Sequence, residues 1–549
     1  MEHMKKLAGL LLALTMITGL LTTAFAATVT VPDEGILQGH TFTAYQIFSG
    51  REESGVLSDI DWGDGIDSAA FLTALKGIAE SPFAACTSAA DVAAVLAENN
   101  TDTALANQVA KLAEDHKTGG GTALVPGEND LAGGYYLIVD TTADVGAGGA
   151  YNTALLQVVG DINITVKTDA PSVEKKVLED DKYDTDGGYG TGYNDVADYC
   201  MGETVYFHLI GSVPDMSRYD TYKYIFHDTL SSGLTPPAIG DIIVYLSDDK
   251  ILDINDAVIH PKVPAPDFVV QVDGQTITVS SDDIKAVNGI AQGMYIIVEY
   301  TAVLNQNAVV GLDGNPNTVY LEYSNKPDQS GAGDTNNTGE TPEDKVIVFT
   351  YELDTTKVDG QNTETKLESA KFVLLDGAAE PTKVATITSG KFDGWQNIPE
   401  PGMSGEITWP ETSILTSDAN GLFSVTGLDD GVYKLREIQA PAGYNLLTDD
   451  AVVTVSATTT NGQNWTNGQA GSALTGLAVH VKIGEGDSVP GTGNTSTGVA
   501  GITIANNSGS ILPETGGIGT TIFYVLGSVL IIAAVVFLVT GKRMSRDKE

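Results

Sequence analysis

Alternating apolar and polar residues mark short strands through most of the chain. In a strand, residues i, i+2 and i+4 share a face. Thr28-Val29-Thr30-Val31 alternates in this way, and Phe42 to Phe48 follows with strand-like composition. From 67 to 117 the pattern changes to Ala-, Leu- and Glu-rich sequence with helical spacing. Strands resume at Tyr135 to Val139, Ala154 to Val159 and Ile162 to Val166. Residues 27–168 therefore read as a mixed domain with a helical insert. Residues 169–325 are short strands with turn punctuation, the pattern of a β-sandwich. Lys326 to Asp344 is a polar linker rich in Gly, Asn, Thr and Pro. Residues 345–510 are again short strands, with no short-period repeat of the solenoid kind. The expected fold is mainly β, in tandem sandwich domains.

Strand parity also shows which polar residues point inward. Phe349, Tyr351 and Leu353 share a face, and Lys357 has their parity. Tyr433 and Leu435 carry Glu437 with them, and Ile502 and Ile504 carry Asn506. The preceding domain repeats the plan. Val173 and Val177 share parity with Lys175, while Lys176 points the other way. Tyr222, Tyr224 and Phe226 share parity with Asp228; Leu321 and Tyr323 share it with Asn325. Each domain thus aims one lysine, one acid and one asparagine at its core.

Burying an ammonium and a carboxylate is costly unless they pair or lose charge. Desolvation lowers a lysine pKa and raises that of a carboxyl. A neutral amine is a nucleophile, and a protonated acid polarises an amide carbonyl and shuttles protons. An amine held against the amide carbon expels ammonia and leaves an amide cross-link. Proximity supplies on the order of 7 to 11 kcal/mol in good cases. Such a site turns over once and needs no outside enzyme. A buried ion pair beside an unreacted amide satisfies the same parity.

The ends place the product. Lys5 and Lys6 precede an apolar run from Leu7 to Leu21, and Ala24-Phe25-Ala26 is a small-x-small site, so cleavage is expected between Ala26 and Ala27. Residues 1–26 then form a secretory signal. At the other end, 511–549 hold Leu512-Pro513-Glu514-Thr515-Gly516, an apolar stretch from about Thr520 to Thr540, and the basic residues Lys542, Arg543, Arg546 and Lys548. The stretch is long enough for a bilayer, and the basic tail would stay inside.

The 549 residues are too many for one domain. The 29 Lys+Arg against 72 Asp+Glu give a net charge of −43, which excludes a general nucleic-acid binder and argues against docking on anionic lipid. With 42% hydrophobic and 18% charged residues this is not an acidic disordered chain. Cys86 and Cys200 are the only cysteines, too few for a disulfide framework, and are expected as buried thiols.

The C-terminal pentapeptide, span and basic tail together resemble the LPXTG cell-wall sorting signal of Gram-positive surface proteins. That resemblance implies that a sortase cuts between Thr515 and Gly516. Lys357-Val358-Asp359, Ala370 to Leu374, and Tyr433 to Tyr444 with its Glu-x-x-Ala-Pro-x-Gly-Tyr piece resemble the collagen-adhesin B-type immunoglobulin-like domain. Lys175, Phe226 to Leu234 and Tyr323-Ser324-Asn325 resemble the fimbrial isopeptide-forming domain of pilin backbones. These resemblances imply intramolecular Lys–Asn isopeptide bonds, Lys175–Asn325 promoted by Asp228 and Lys357–Asn506 promoted by Glu437. Glu299 is a reserve acid. The first domain has no lysine between 27 and 75 and is expected to lack such a bond.

Lys167 has the parity opposite to Ile162, Ile164 and Val166 and is expected to be exposed. Its place resembles the pilin-motif lysine, although Thr165-Val166-Lys167 departs from the usual Tyr-Pro-Lys. The resemblance implies that a pilin sortase joins Thr515 of one subunit to Lys167 of the next. Lys176 and Lys262 are rival acceptors, and an ordinary solvated lysine is the plain alternative. The implied protein is a secreted, peptidoglycan-anchored backbone subunit of a surface pilus. Its partners would be identical subunits, pilin-class and housekeeping sortases, and ancillary or tip pilins. A monomeric wall-anchored adhesin is the alternative. No cofactor or metal is expected, since Asp180, Asp181, Asp184 and Asp186 lack the terminal Glu of an EF-hand loop. No enzyme motif for an external substrate appears.

Overall fold

The computed structural model describes residues 26–546 apart from 33–38, 54–55, 152, 159–160, 164–169, 180–192, 251–262, 266, 328–336, 404, 461–469 and 510–517. Its N-terminal part is mixed, as the change of period predicts. Phe42–Glu53 pairs with Val56–Trp62 on one side and Gly134–Asp140 on the other. Ala26–Val31 pairs with Gly127–Ala132 in a separate small sheet. The insert forms α1 (Ser68–Lys76), α2 (Ala89–Glu98) and α3 (Thr103–Asp115). Asp67 and Asp102 accept hydrogen bonds from the first turns of α1 and α3, and Ser88 with Asp91 forms a capping box on α2. Phe71, Leu75, Phe83, Val92 and Val109 pack the helices onto Ile47, Phe48 and Leu137. Trp62 joins this core, lying against Phe48 and Phe71.

The second part is a sandwich of two sheets. The first sheet holds β1 (Val173–Leu178), β2 (Thr204–Ser212) and β4 (Tyr295–Leu304). The second holds β3 (Tyr224–Leu230), β5 (Asn315–Ser324) and β6 (Asp344–Phe349). β2 lies between β1 and β4, and β5 between β3 and β6, all antiparallel. Phe207, Leu209, Tyr222, Phe226, Val298, Val319 and Leu321 fill the space between the sheets. The expected linker 326–344 requires correction here. Thr338–Glu340 pairs with β5, and β6 begins at Asp344, so this polar stretch contributes to the second sheet. The polar composition of the stretch is compatible with strand pairing at 338–340 and from Asp344 onward.

After Thr350 the chain passes directly into the third part. Its first strand is β7 (Tyr351–Asp359). β8 (Gly431–Gln439) lies between Lys371–Asp376 and Ala451–Thr459. The last strand, β9 (Val499–Asn506), runs parallel to β7, pairing Lys357 with Ile504 and Asp359 with Asn506. First and last strands are therefore neighbours. The junction between second and third parts is buried, with Val196, Ile347, Phe349, Tyr351 and Leu474 in one cluster.

Helix α4 covers Ile518–Arg546. Its described side chains run from 524 to 540, and the aliphatic ones among them are mostly exposed. Among the described residues no helix is long and apolar enough to cross a membrane. The apolar run from Thr520 to Thr540 includes positions whose side chains lie outside the description.

Candidate cross-linking sites

In the third part, parity places Lys357, Glu437 and Asn506 inward on three strands, and packing brings them together. The Lys357 Nζ donates to Asn506 Oδ1 at 2.5 Å and to the Ile504 carbonyl at 3.2 Å. Asn506 Nδ2 donates to both Glu437 oxygens at 2.9 Å and to the Asn445 carbonyl at 2.9 Å. Glu437 also accepts from the Leu447 amide at 2.9 Å and lies 3.9 Å from the amine. The Phe372 ring sits 5.9 Å from the amine, and neither the lysine nor the acid side chain is exposed. Burial, opposed by the Glu437 charge, lowers the Lys357 pKa to about 8. The amide is thus gripped at its oxygen by the nucleophile and at its nitrogen by the acid.

The second part has a similar inventory in a different arrangement. Lys175 Nζ donates to Asp228 Oδ1 at 2.5 Å and to the Tyr300 hydroxyl at 3.1 Å. The Tyr300 hydroxyl donates to Asp228 Oδ2. Asn317 Nδ2 donates to the same hydroxyl at 2.7 Å. The Asp344 carboxylate accepts from the Lys175 backbone amide at 2.6 Å and fixes the lysine strand against β6. All four central side chains are buried, with the Phe207 ring 5.4 Å from the amine. Burial pushes the Lys175 pKa down, and the charges of Asp228 and Asp344 oppose the shift. Burial, then the Asp228 charge, pushes the Tyr300 pKa well up.

The amide expected here requires correction. Asn325 is buried as parity required, but it lies beyond the end of β5. Its carbonyl accepts from the Tyr151 amide at 2.8 Å, at the boundary with the first domain. The register opposes Asp228 to Val319, so the amide on the same face one step away is Asn317. Eight residues of strand separate 317 from 325, roughly 27 Å. Asn315, Asn317 and Asn325 share one parity, and parity carries no information on position along the strand. The carbonyl oxygen of Asn317 is buried and has no hydrogen-bond partner.

Other expected residues separate from these clusters. The reserve acid Glu299 faces away from Tyr300; it accepts from the Tyr245 hydroxyl at 3.2 Å and lies 3.3 Å from His208. Lys176 pairs with Asp195 at 2.6 Å. Cys86 and Cys200 are buried and unbridged, and burial raises both thiol pKa values. In the first part, Lys111 and Lys117 pair with Asp220 and Glu114. Asp198, Asp429 and Asp430 cluster in the junction with carboxylate oxygens within 4.8 Å of one another. They accept protein hydrogen bonds, from the Tyr351 hydroxyl to Asp198 and the Ala457 amide to Asp430. Lys167, Lys262, Leu512 to Gly516 and the acidic run 180–186 lie outside the described residues.

Tandem β domains holding buried lysine, acid and amide clusters define a multi-domain, pilin-like β fold. Residues 351–469 match the SpaA family, a prealbumin-like fold domain. The trypsin-resistant surface T6 protein of Streptococcus pyogenes serotype M6 is 27% identical where it aligns, over 45% of this chain and 48% of that protein. The chain thus spans about half the length of that curated relative. The solved T6 backbone pilin of serotype M6 Streptococcus pyogenes has a modular three-domain structure decorated with variable loops and extensions. It is 18% identical, with 89% of this chain and 100% of that chain covered and a TM-score of 0.51. The full-length major pilin SpaD from Corynebacterium diphtheriae aligns at 14% identity over 88% of this chain and 97% of that one, with a TM-score of 0.43. Residues 351–469 carry a SpaA-type domain, and the chain is similar in sequence to the T6 surface protein and in fold to the T6 backbone pilin.

Proposed function

We propose that this chain is the structural backbone subunit of a covalently polymerised pilus on a Gram-positive cell surface, with each of two domains locked by its own Lys–Asn isopeptide bond. The observation that carries this reading is the pair of dry amine, acid and amide clusters, one per sandwich. Lys357 and Asn506 form one bond with Glu437 as acid; Lys175 and Asn317 form the other with Asp228 as acid. Export through the 1–26 signal, wall anchoring through Leu512 to Gly516 and α4, and linkage of Thr515 to Lys167 of the next subunit complete the assembly. In sortase-positive cells the wild-type chain is expected to give a high-mass ladder, and Lys167→Ala to abolish it. A surviving ladder moves the acceptor elsewhere. Absence of any ladder in wild type overturns the backbone role and leaves a monomeric anchored adhesin.

The pH dependence follows from the proton count. Lys357 attacks as a neutral amine while Glu437 is protonated, so the reactive pair holds one proton between them. That proton is lost above the lysine pKa of about 8. Cross-linking in freshly folded protein should therefore run at a flat rate just below pH 8 and fall about tenfold per unit above it. A time course of ammonia loss by mass spectrometry measures this, and a rate climbing through pH 8 contradicts it. Stability of the uncross-linked precursor moves the other way. Its folded lysine pKa lies below the ordinary 10.5, so the unfolded chain binds more protons between about 8 and 10.5. The precursor gains stability as pH rises through that window, and carries the full penalty below it.

A further inference from the structure

The two clusters differ in how the acid reaches the leaving nitrogen. In the third domain Glu437 touches Asn506 Nδ2 directly, at 2.9 Å from both oxygens. In the second domain the acid is Asp228, one methylene shorter, and its bonds go to the amine and to a phenol. That phenol, Tyr300, receives the bond from Asn317 Nδ2 at 2.7 Å and one from Lys175 Nζ at 3.1 Å. It is fully buried, on the strand facing Asp228 and Asn317 across the core.

The geometry points to Tyr300 as a catalytic residue of the second-domain cross-link, the proton relay between Asp228 and the departing nitrogen of Asn317. This rests on the isopeptide reading above. The step balances without any outside reagent. Neutral Lys175 Nζ attacks Asn317 Cγ, and the new C–N bond makes that carbon tetrahedral. Nδ2 is then an amine with a free lone pair, and turns from donor to acceptor. Tyr300 gives it the hydroxyl proton and takes one from Asp228. The Cγ–Nδ2 bond breaks and ammonia leaves. Asp228 regains a proton from Nζ as that nitrogen becomes the amide. Acid and phenol finish as they began. Nδ2 has no direct bond to Asp228 among the described contacts, so the hydroxyl fills the gap that the shorter side chain leaves.

The test is a pulse–chase on the full chain, scoring the Lys175–Asn317 and Lys357–Asn506 cross-linked tryptic peptides by mass spectrometry in the same molecules. Tyr300→Phe keeps the ring and removes the relay; it should slow the Lys175 bond at least 100-fold and leave the Lys357 bond at its wild-type rate. Asp228→Glu combined with Tyr300→Phe restores direct contact of acid and amide nitrogen, as in the third domain, and should recover at least tenfold of that loss. A purely structural tyrosine predicts no such recovery. Formation at the wild-type rate in Tyr300→Phe overturns the relay, and so does failure of the double variant to improve on the single one. A wild-type chain lacking the Lys175–Asn317 peptide overturns the isopeptide reading itself, and the relay with it.

Discussion

Replacing Glu437 by Ala is expected to leave the Lys357–Asn506 bond unmade, so that the chain falls short of its own sequence mass by one ammonia where wild type falls short by two. The other cross-link should be unaffected, because the two clusters share no residue. Among the described residues Glu437 is the only carboxylate bonded to the Asn506 amide, and without it neither proton transfer nor amide polarisation has a donor. The bond closes a loop of 149 residues between the first and last strands. By loop-closure reasoning a cross-link of that span stabilises by about 4 to 5 kcal/mol. The variant also strands a buried amine, which itself costs about 3 to 5 kcal/mol when a pair is broken. The two costs overlap, and a fall of roughly 10 to 20 °C in the melting of this domain is the expected result. Glu437→Gln separates chemistry from packing. It keeps size and one accepting oxygen, carries no carboxyl proton to transfer, and should also lose one ammonia from its sequence mass where wild type loses two. Loss of two ammonias from the sequence mass of either variant would remove Glu437 from the reaction.

The mechanical consequence follows from strand order. Tension enters the third domain at Tyr351 and leaves past Asn506. A bond between Lys357 and Asn506 carries it across after a few residues of β7, and the stretch 358–505 is bypassed. Extension and proteolytic opening both require strands to separate, and the parallel pair that would have to part is the one the proposed bond would join.

How far this was legible in the sequence depended on the kind of question. Among the described residues parity found the buried face: Lys175, Asp228, Lys357, Glu437 and Asn506 are inward, and Lys176 is not. A period of two is local and survives folding, because each strand keeps one face to the core. Which inward residues meet is set by register between strands far apart in sequence, and no local pattern encodes that. In the third domain the family motif supplied the register, through the acid motif and the terminal asparagine. In the second domain the terminal asparagine misled, because three asparagines share the face of β5 and its continuation. Tyr300 was missed for a related reason. A tyrosine in an apolar strand looks like core, and only the facing polar groups reveal that its hydroxyl is used. The strand inside 326–344 was hidden by its turn-like composition, since edge pairing asks little of side chains.

The choice between Asn317 and Asn325 gives the sharpest result expected of the second domain. Asn317→Ala should abolish its cross-link completely, so that the chain loses one ammonia from its own sequence mass; Asn325→Ala should still lose two, as wild type does. Asn317 shares a hydroxyl partner with Lys175, whereas Asn325 is bonded through its backbone at the first-domain boundary. Stability should follow the same division. The lost bond closes a loop of about 140 residues, worth about 4 to 5 kcal/mol by the chain-entropy estimate. The Asn325 side-chain carbonyl oxygen already lacks a partner, so removing it sacrifices no bond at that atom, and the change should stay near 1 kcal/mol. The force path distinguishes them as well. A bond at 317 bypasses 176–316 and leaves 318–349 under load, held by the β5–β6 pairing that runs from Asn315–Val348 to Val319–Asp344. Pulling on a tandem chain should therefore release a short segment from this domain before any covalent stop, and none of comparable length from the third. Loss of the cross-link in Asn325→Ala with retention in Asn317→Ala would reverse the assignment and require a register other than the one opposing Asp228 to Val319.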